Sequence, residues 1–151
     1  MKRFWIALGV VALTAVGVGA ATGTAATSDT VQLDAKLTAT KRIDAAPKGY
    51  SPGDRSLAAG TLVDTMTKKR AGHILLDCVD MPAGTGECAL TLALPTGHVA
   101  VLASYGKGFS GQSSAHDPIV GGTGAYAMAR GYTDEVETGN GKMRFTLHLE
   151  Q

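Results

Sequence analysis

A chain of 151 residues gives one domain as its natural reading. Its 14 lysines and arginines against 13 acidic residues leave a formal charge of +1, and aromatic residues make up only 5%. That balance excludes the basic face of a nucleic-acid or anionic-membrane binder, and so few aromatics exclude a base-stacking platform.

The chain opens with Lys2 and Arg3, then an almost wholly apolar run over residues 4–18, then small residues to Ala26. This order predicts a secretory signal peptide over residues 1–26, cleaved between Ala20 and Ala26. The alternative, an uncleaved anchor, is disfavoured because the run barely reaches the ~18–20 residues that a span requires. There is no cysteine near the cleavage zone for a lipid anchor and no twin-arginine pair. The expectation is a secreted protein with no stable membrane association after cleavage. Composition rich in Ala, Gly and Thr fits a high-GC bacterial source. Roughly 125 residues remain, enough to bury one core unaided. Residues 27–30 read as a mobile N-terminus, and residues 31–151 as the folded domain.

From Val31 the pattern alternates: Val31, Leu33, Ala35, Leu37 and Ala39 against Gln32, Asp34, Lys36, Thr38 and Thr40. That is a half-buried strand. Residues 45–54 form a Pro/Gly loop, and residues 57–65 return to strand character. Further strands are predicted over residues 72–79, 87–94 and 97–105, the last two joined by a short turn at Pro95-Thr96-Gly97. Residues 106–116 are rich in Gly and Ser, without a period, and are expected to be a loop at the mouth of whatever the strands build. Ile119-Val120 leads to a glycine-rich corner, with a strand expected over residues 126–136. An Asn140-Gly141 turn precedes a last strand in which Met143, Phe145, Leu147 and Leu149 alternate with polar residues. Lys68-Lys69-Arg70 and Asp134-Glu135 read as solvated charge runs. Seven or eight short strands without a 3.6-residue period predict an antiparallel sandwich or barrel.

Cys78 and Cys88 flank a Pro/Gly turn, symmetrically about Ala83. In an exported chain they are expected to form a cross-strand disulfide. A metal pair or a reactive thiol is the alternative, but no further Cys or His cluster offers metal-ligand spacing.

The densest run is residues 117–132, with Gly121, Gly122 and Gly124 forming a tight corner before small residues alternate with large ones. Val-Gly-Gly-Thr-Gly-x-Tyr-x-x-Ala-Arg-Gly-Tyr resembles the glycine corner and following strand of dirigent proteins. Arg70-Ala71-Gly72-His73-Ile74-Leu75-Leu76, Gly97-His98-Val99-Ala100-Val101 and Tyr105 resemble parts of the related allene oxide cyclase barrel. The resemblance covers residues 57–149. It implies an all-β fold, an antiparallel barrel of about eight strands with a cavity or mouth at one end. It also implies control of an already reactive guest by shape, without metal or organic cofactor, and assembly as a homotrimer or other homo-oligomer.

Carried over residue by residue, Arg130 matches the arginine of the dirigent stretch and Tyr105 a cyclase tyrosine. The carboxylate that cyclases carry on their first strand falls near Thr38, and their cysteine near Ile74, so allene oxide cyclisation itself is not expected. Asp64, His73, Asp77 and His98 interrupt apolar strands, and His73 shares a face with Asp77 by parity. Such a pair can position or protonate a ligand, or simply face solvent. Asp117 beside Pro118 is either a turn residue or a pocket acid. No Gly-x-Ser-x-Gly elbow supports a hydrolase. The ligand-site candidates are therefore Arg130, Tyr105, His73, Asp77, Asp64 and Asp117. The expected function is binding of a small apolar or phenolic molecule, with possible direction of its cyclisation or coupling. The alternatives are a non-catalytic extracellular ligand carrier or interaction protein, and a secreted inhibitor presenting the Gly/Ser loop.

Overall fold

The computed structural model describes residues 28–106 and 115–150; the expected leader and the Gly/Ser segment 107–114 lie outside the described residues. Eight strands follow one another: β1 (Ser28–Ile43), β2 (Arg55–Asp64), β3 (Arg70–Met81), β4 (Thr85–Leu94), β5 (Gly97–Tyr105), β6 (Ala115–Gly122), β7 (Arg130–Gly139) and β8 (Lys142–Glu150). Each pairs antiparallel with its sequence neighbour, and β1 pairs with β8 to close the barrel. Closure leaves no free sheet edge. The choice between sandwich and barrel, open on periodicity alone, is resolved in favour of the barrel.

Three expectations are corrected. Pairing of β1 with β8 begins at Ser28, opposite Glu150, so residues 28–30 belong to a strand and not to a mobile N-terminus. The alternation of β1 does not persist: a register shift between Leu37 and Ala39 inserts Thr38 as an extra residue. Parity therefore flips, and Ala39 and Lys41 face outward while Thr40 and Arg42 turn to the interior side. Residues 126–129 are not strand. Gly124–Tyr126 is a 3-10 turn, and β7 starts only at Arg130. The corner folds there because Gly124 takes φ +60° with its Cα against the β4–β5 turn, where a Cβ would meet Thr96 O at 2.3 Å. Small residues at this corner serve close backbone approach rather than one face of a strand.

The interior divides into two halves. At the glycine-corner end, Leu62, Ile74, Leu92, Val99, Leu147 and Leu149 are at most 1% exposed. Toward the other end, Leu76, Cys78, Asp80, Ala103 and Asp117 are 6–9% exposed, and Tyr105 and Glu135 are partly exposed. Among the described residues, the inward-facing groups that keep some exposure cluster toward that end. That end is the mouth, where β3 and β5 finish and β6 begins. A cross-strand Cys78–Cys88 disulfide, as expected, joins directly opposed residues on the lumen wall there.

Candidate functional site at the barrel mouth

Strand parity aims a set of polar groups into the mouth. On β3 the inward series Ile74, Leu76, Cys78 ends in Asp80. On β5 the series Val99, Val101, Ala103 ends in Tyr105, whose partner across β4 is Gly86. The Tyr105 ring occupies the space above Gly86, where a Cβ would lie 2.1 Å from Tyr105 Cζ. From that seat the Tyr105 hydroxyl donates to Asp80 Oδ1 at 2.7 Å. Burial, helped by the Asp80 carboxylate, pushes the Tyr105 phenol far above its ordinary range, so it remains a proton donor.

A strap between β1 and β2 borders the mouth. Its anchor is Asp54, fully buried, which accepts from Arg42 Nη2 at 2.7 Å, the Ala45 N–H at 2.7 Å, and the Ser51 N–H at 3.0 Å. The Arg42 guanidinium first, and the backbone N–H of Ser51 next, hold the Asp54 carboxyl down to about 2. Backbone bonds from Gly53 N to Asp80 O and from Asp80 N to Asp54 O stitch the strap to β3. Its exposed Tyr50 lies under Arg42, 4.9 Å from guanidinium carbon to ring centroid, and donates to Asp80 Oδ1 at 2.9 Å. Asp80 therefore accepts from two phenols, with Arg42 3.9 Å from its other oxygen.

The opposite wall is different. Asp117 on β6 and Thr133 on β7 face each other in register, both inward. Glu135, two residues along β7, sits opposite Phe145 of β8 and therefore also points inward. Burial, and secondarily the charge of Asp117, push the Glu135 carboxyl up to about 8. Burial likewise raises Asp117, against a single long bond of 3.4 Å from the Ser104 N–H. The buried atoms Thr133 Oγ1 and Glu135 Oε1 have no hydrogen-bond partner among the described residues. Unpaired buried polar atoms cost free energy.

Of the six candidates drawn from sequence, the structure brings Tyr105 and Asp117 together at the mouth. The other four lie elsewhere. His73 and Asp77 share the outer face of β3, where Arg70 Nη2 is 2.9 Å from His73 Nε2 and Arg55 pairs with Asp77. Asp64 caps its own turn, accepting from the Met66 and Thr67 backbone N–H groups at 3.0 and 2.6 Å. Arg130 is exposed at the glycine-corner end, away from the mouth. Asp80, Glu135, Asp54, Arg42, Tyr50 and Thr133 escaped sequence reasoning. Asp80 was legible as the next inward position after Cys78. Glu135 was not, because β7 inverts the usual pattern: Thr133 and Glu135 point inward while Tyr132 and Val136 are exposed. The solvated reading of Asp134-Glu135 thus fails for Glu135, while Asp134 faces out to His148 Nε2 at 2.9 Å and His116. Among the described residues no group of three or more His, Cys, Asp or Glu could hold a metal ion.

No protein-family model matches the chain, and no curated protein matches its sequence. Solved structures do share its barrel. A pyocyanin demethylase superposes with a TM-score of 0.68 at 22% identity, covering 80% of this chain and 99% of that one. An exo-specific intermolecular Diels-Alderase, AbnU, gives 0.70 at 11% identity over 85% of this chain and 100% of its own. The pterocarpan synthase dirigent protein PsPTS1 gives 0.58 at 16% identity, covering 82% and 92%. The chain therefore has the barrel fold of dirigent and cyclase proteins, as the glycine-corner resemblance implied.

Proposed function

We propose that the mouth half of this barrel binds a small, largely apolar or aromatic guest and directs its cyclisation or coupling. The observation that carries this reading is a gradient in the interior: aliphatic side chains at most 1% exposed toward the glycine corner, then inward positions that keep some exposure, among them Asp117, Glu135, Tyr105 and Asp80. Apolar walls take the body of a guest at about 25 cal/mol per Å² buried. Fixed polar groups then set its orientation, and orientation alone can supply much of the selectivity in closing a ring. Proteins of the same fold include the Diels-Alderase above and a cyclase described as catalysing [4 + 2] cycloaddition, which supports bond formation directed by shape. The second reading is ligand carriage without chemistry, and the exposed position of Arg130 outside the lumen favours it. Either activity is assigned outside the cytoplasm, since a Cys78–Cys88 disulfide persists in oxidising compartments.

Titration with the neutral fluorophore N-phenyl-1-naphthylamine tests the guest site. Enhancement is expected for the native protein, to be abolished by Leu76→Trp, which fills the lumen, and kept by Leu75→Trp on the outer face. No enhancement with the native protein, or equal loss in both variants, overturns the reading. Chiral chromatography of products from an achiral tethered diene–enone then separates the two activities. Enantiomeric excess supports directed cyclisation, and a racemate identical to the protein-free control leaves carriage.

A further inference from the structure

We infer that the guest of the mouth is an organic cation whose positive charge is spread over an apolar, conjugated body. This rests on reading the mouth as a guest site and adds the chemical class that it selects. The inward charges of the described strands are Asp80, Asp117 and Glu135, with Glu137 and Arg42 at the rim. Arg42 is already engaged, paired with Asp54 at 2.7 Å and 3.9 Å from Asp80. Asp80 has two phenol donors besides. Asp117 and Glu135 have no cation inside the lumen among the described residues, and Thr133 Oγ1, fully buried, points into the same corner without a partner. Two adjacent buried carboxyls resist ionising together, and a bound cation is a group that would relieve that cost.

The walls decide which cation. Phe145 lies opposite Glu135, and Leu76, Leu90 and the disulfide belong to the same apolar interior. A compact ammonium is strongly hydrated and loses that hydration against such walls, whereas a delocalised charge is weakly hydrated and brings apolar surface with it. A bare divalent ion is disfavoured because the described carboxyls do not gather with a third ligand.

Proton linkage adds a distinct signature. The titratable groups facing Glu135 are Asp117 on β6, Tyr105 on β5 and Asp80 on β3, with Glu137 at the exposed rim, His116 behind Asp117 on the outer wall, and Arg42 beyond Asp80; β8 presents only Phe145 and Met143. Glu135, pushed up to about 8, is protonated at neutral pH in the empty protein. A permanent cation favours its ionised form, so binding releases a proton and tightens as pH rises, by at most about tenfold per unit up to pH 8.

The test titrates the disulfide-bonded protein with three size-matched probes: N-methylquinolinium, neutral 1-methylnaphthalene and anionic 1-naphthoate. Calorimetry at pH 6, 7 and 8, in buffers of different ionisation enthalpy, counts protons. Expected is at least about tenfold tighter binding of the cation than of the neutral probe at pH 8, with proton release and affinity rising with pH. The Glu135→Gln/Asp117→Asn double variant should bind cation and neutral probe alike. Should it fail to fold, the pH dependence of the native protein decides. Equal binding of cation and neutral probe, tighter binding of the anion, or cation affinity falling with pH overturns the inference and leaves the guest site standing. Binding of none of the three overturns the guest site and the inference together.

Discussion

Glu135 is the residue on which the mouth turns. A carboxyl raised from an ordinary 4.5 to about 8 means that the folded protein binds a proton which the unfolded chain has already lost over that interval. Below pH 4.5 both states are protonated and the group is neutral to stability; above 8 both are ionised and the full penalty is present. Stability contributed at this position therefore falls as pH rises between those limits. Glu135→Gln should raise stability at pH 8 by at least about 1 kcal/mol and leave it nearly unchanged at pH 4, measured by chemical unfolding at the two pH values. An alkaline gain no larger than the acid one would contradict the inward placement. Asp54 works in the opposite sense. Its carboxyl, held at about 2, stabilises the fold above its ordinary 3.8, and that contribution disappears as pH drops through 2.

At the scale of elements, the β3–β4 hairpin and the strap build the wall that faces Asp117 and Glu135. The disulfide closes a short loop, with a sequence separation of 10. Cys78→Ser/Cys88→Ser should cost roughly 2–3 kcal/mol by relaxing the unfolded chain and opening this hairpin. Thermal unfolding with and without reductant checks this, the native protein under reductant matching the double variant. Gly86→Ala tests the opposed pair Gly86 and Tyr105 more finely. A methyl group 2.1 Å from Tyr105 Cζ must expel the ring and break its bond to Asp80. Ultraviolet titration of the variant should then show one tyrosine returning toward an ordinary phenol value, where the native Tyr105 remains protonated. The strap depends on Asp54 in the same local way. Asp54→Ala should lower the melting temperature more than Asp44→Ala, whose carboxylate accepts from the exposed Gly49 N–H.

For the whole molecule these opposed titrations add. Asp54, Asp34, Asp64 and Asp134 are all held low by hydrogen bonds from arginine, histidine or turn N–H groups, so the fold weakens in strong acid. Glu135 and Asp117 are raised by burial, so it also weakens as pH rises toward 8. The melting temperature is expected to peak at about pH 5, and Glu135→Gln should flatten the alkaline side of the profile. A maximum at pH 8 for the native protein would be inconsistent with two buried carboxyls in the lumen.

Alternation along the chain was enough to predict seven or eight strands and the Cys78–Cys88 pairing, because period-two patterning and a symmetric turn are local properties. The glycine corner was legible as a corner, since Gly124 has φ +60° and packs against the preceding turn. Which face of each strand lines the lumen was not local. One extra residue at Thr38 reverses the second half of β1, and β7 turns its carboxylate inward and Tyr132 outward. His73 and Asp77 share a face as parity required, but closure of the barrel made it the outer one. Sequence order fixed neighbours along each strand and across each turn. Only ring closure, joining β1 to β8, decided which neighbours enclose space, because the sense of a sheet's curvature depends on every register in the circuit.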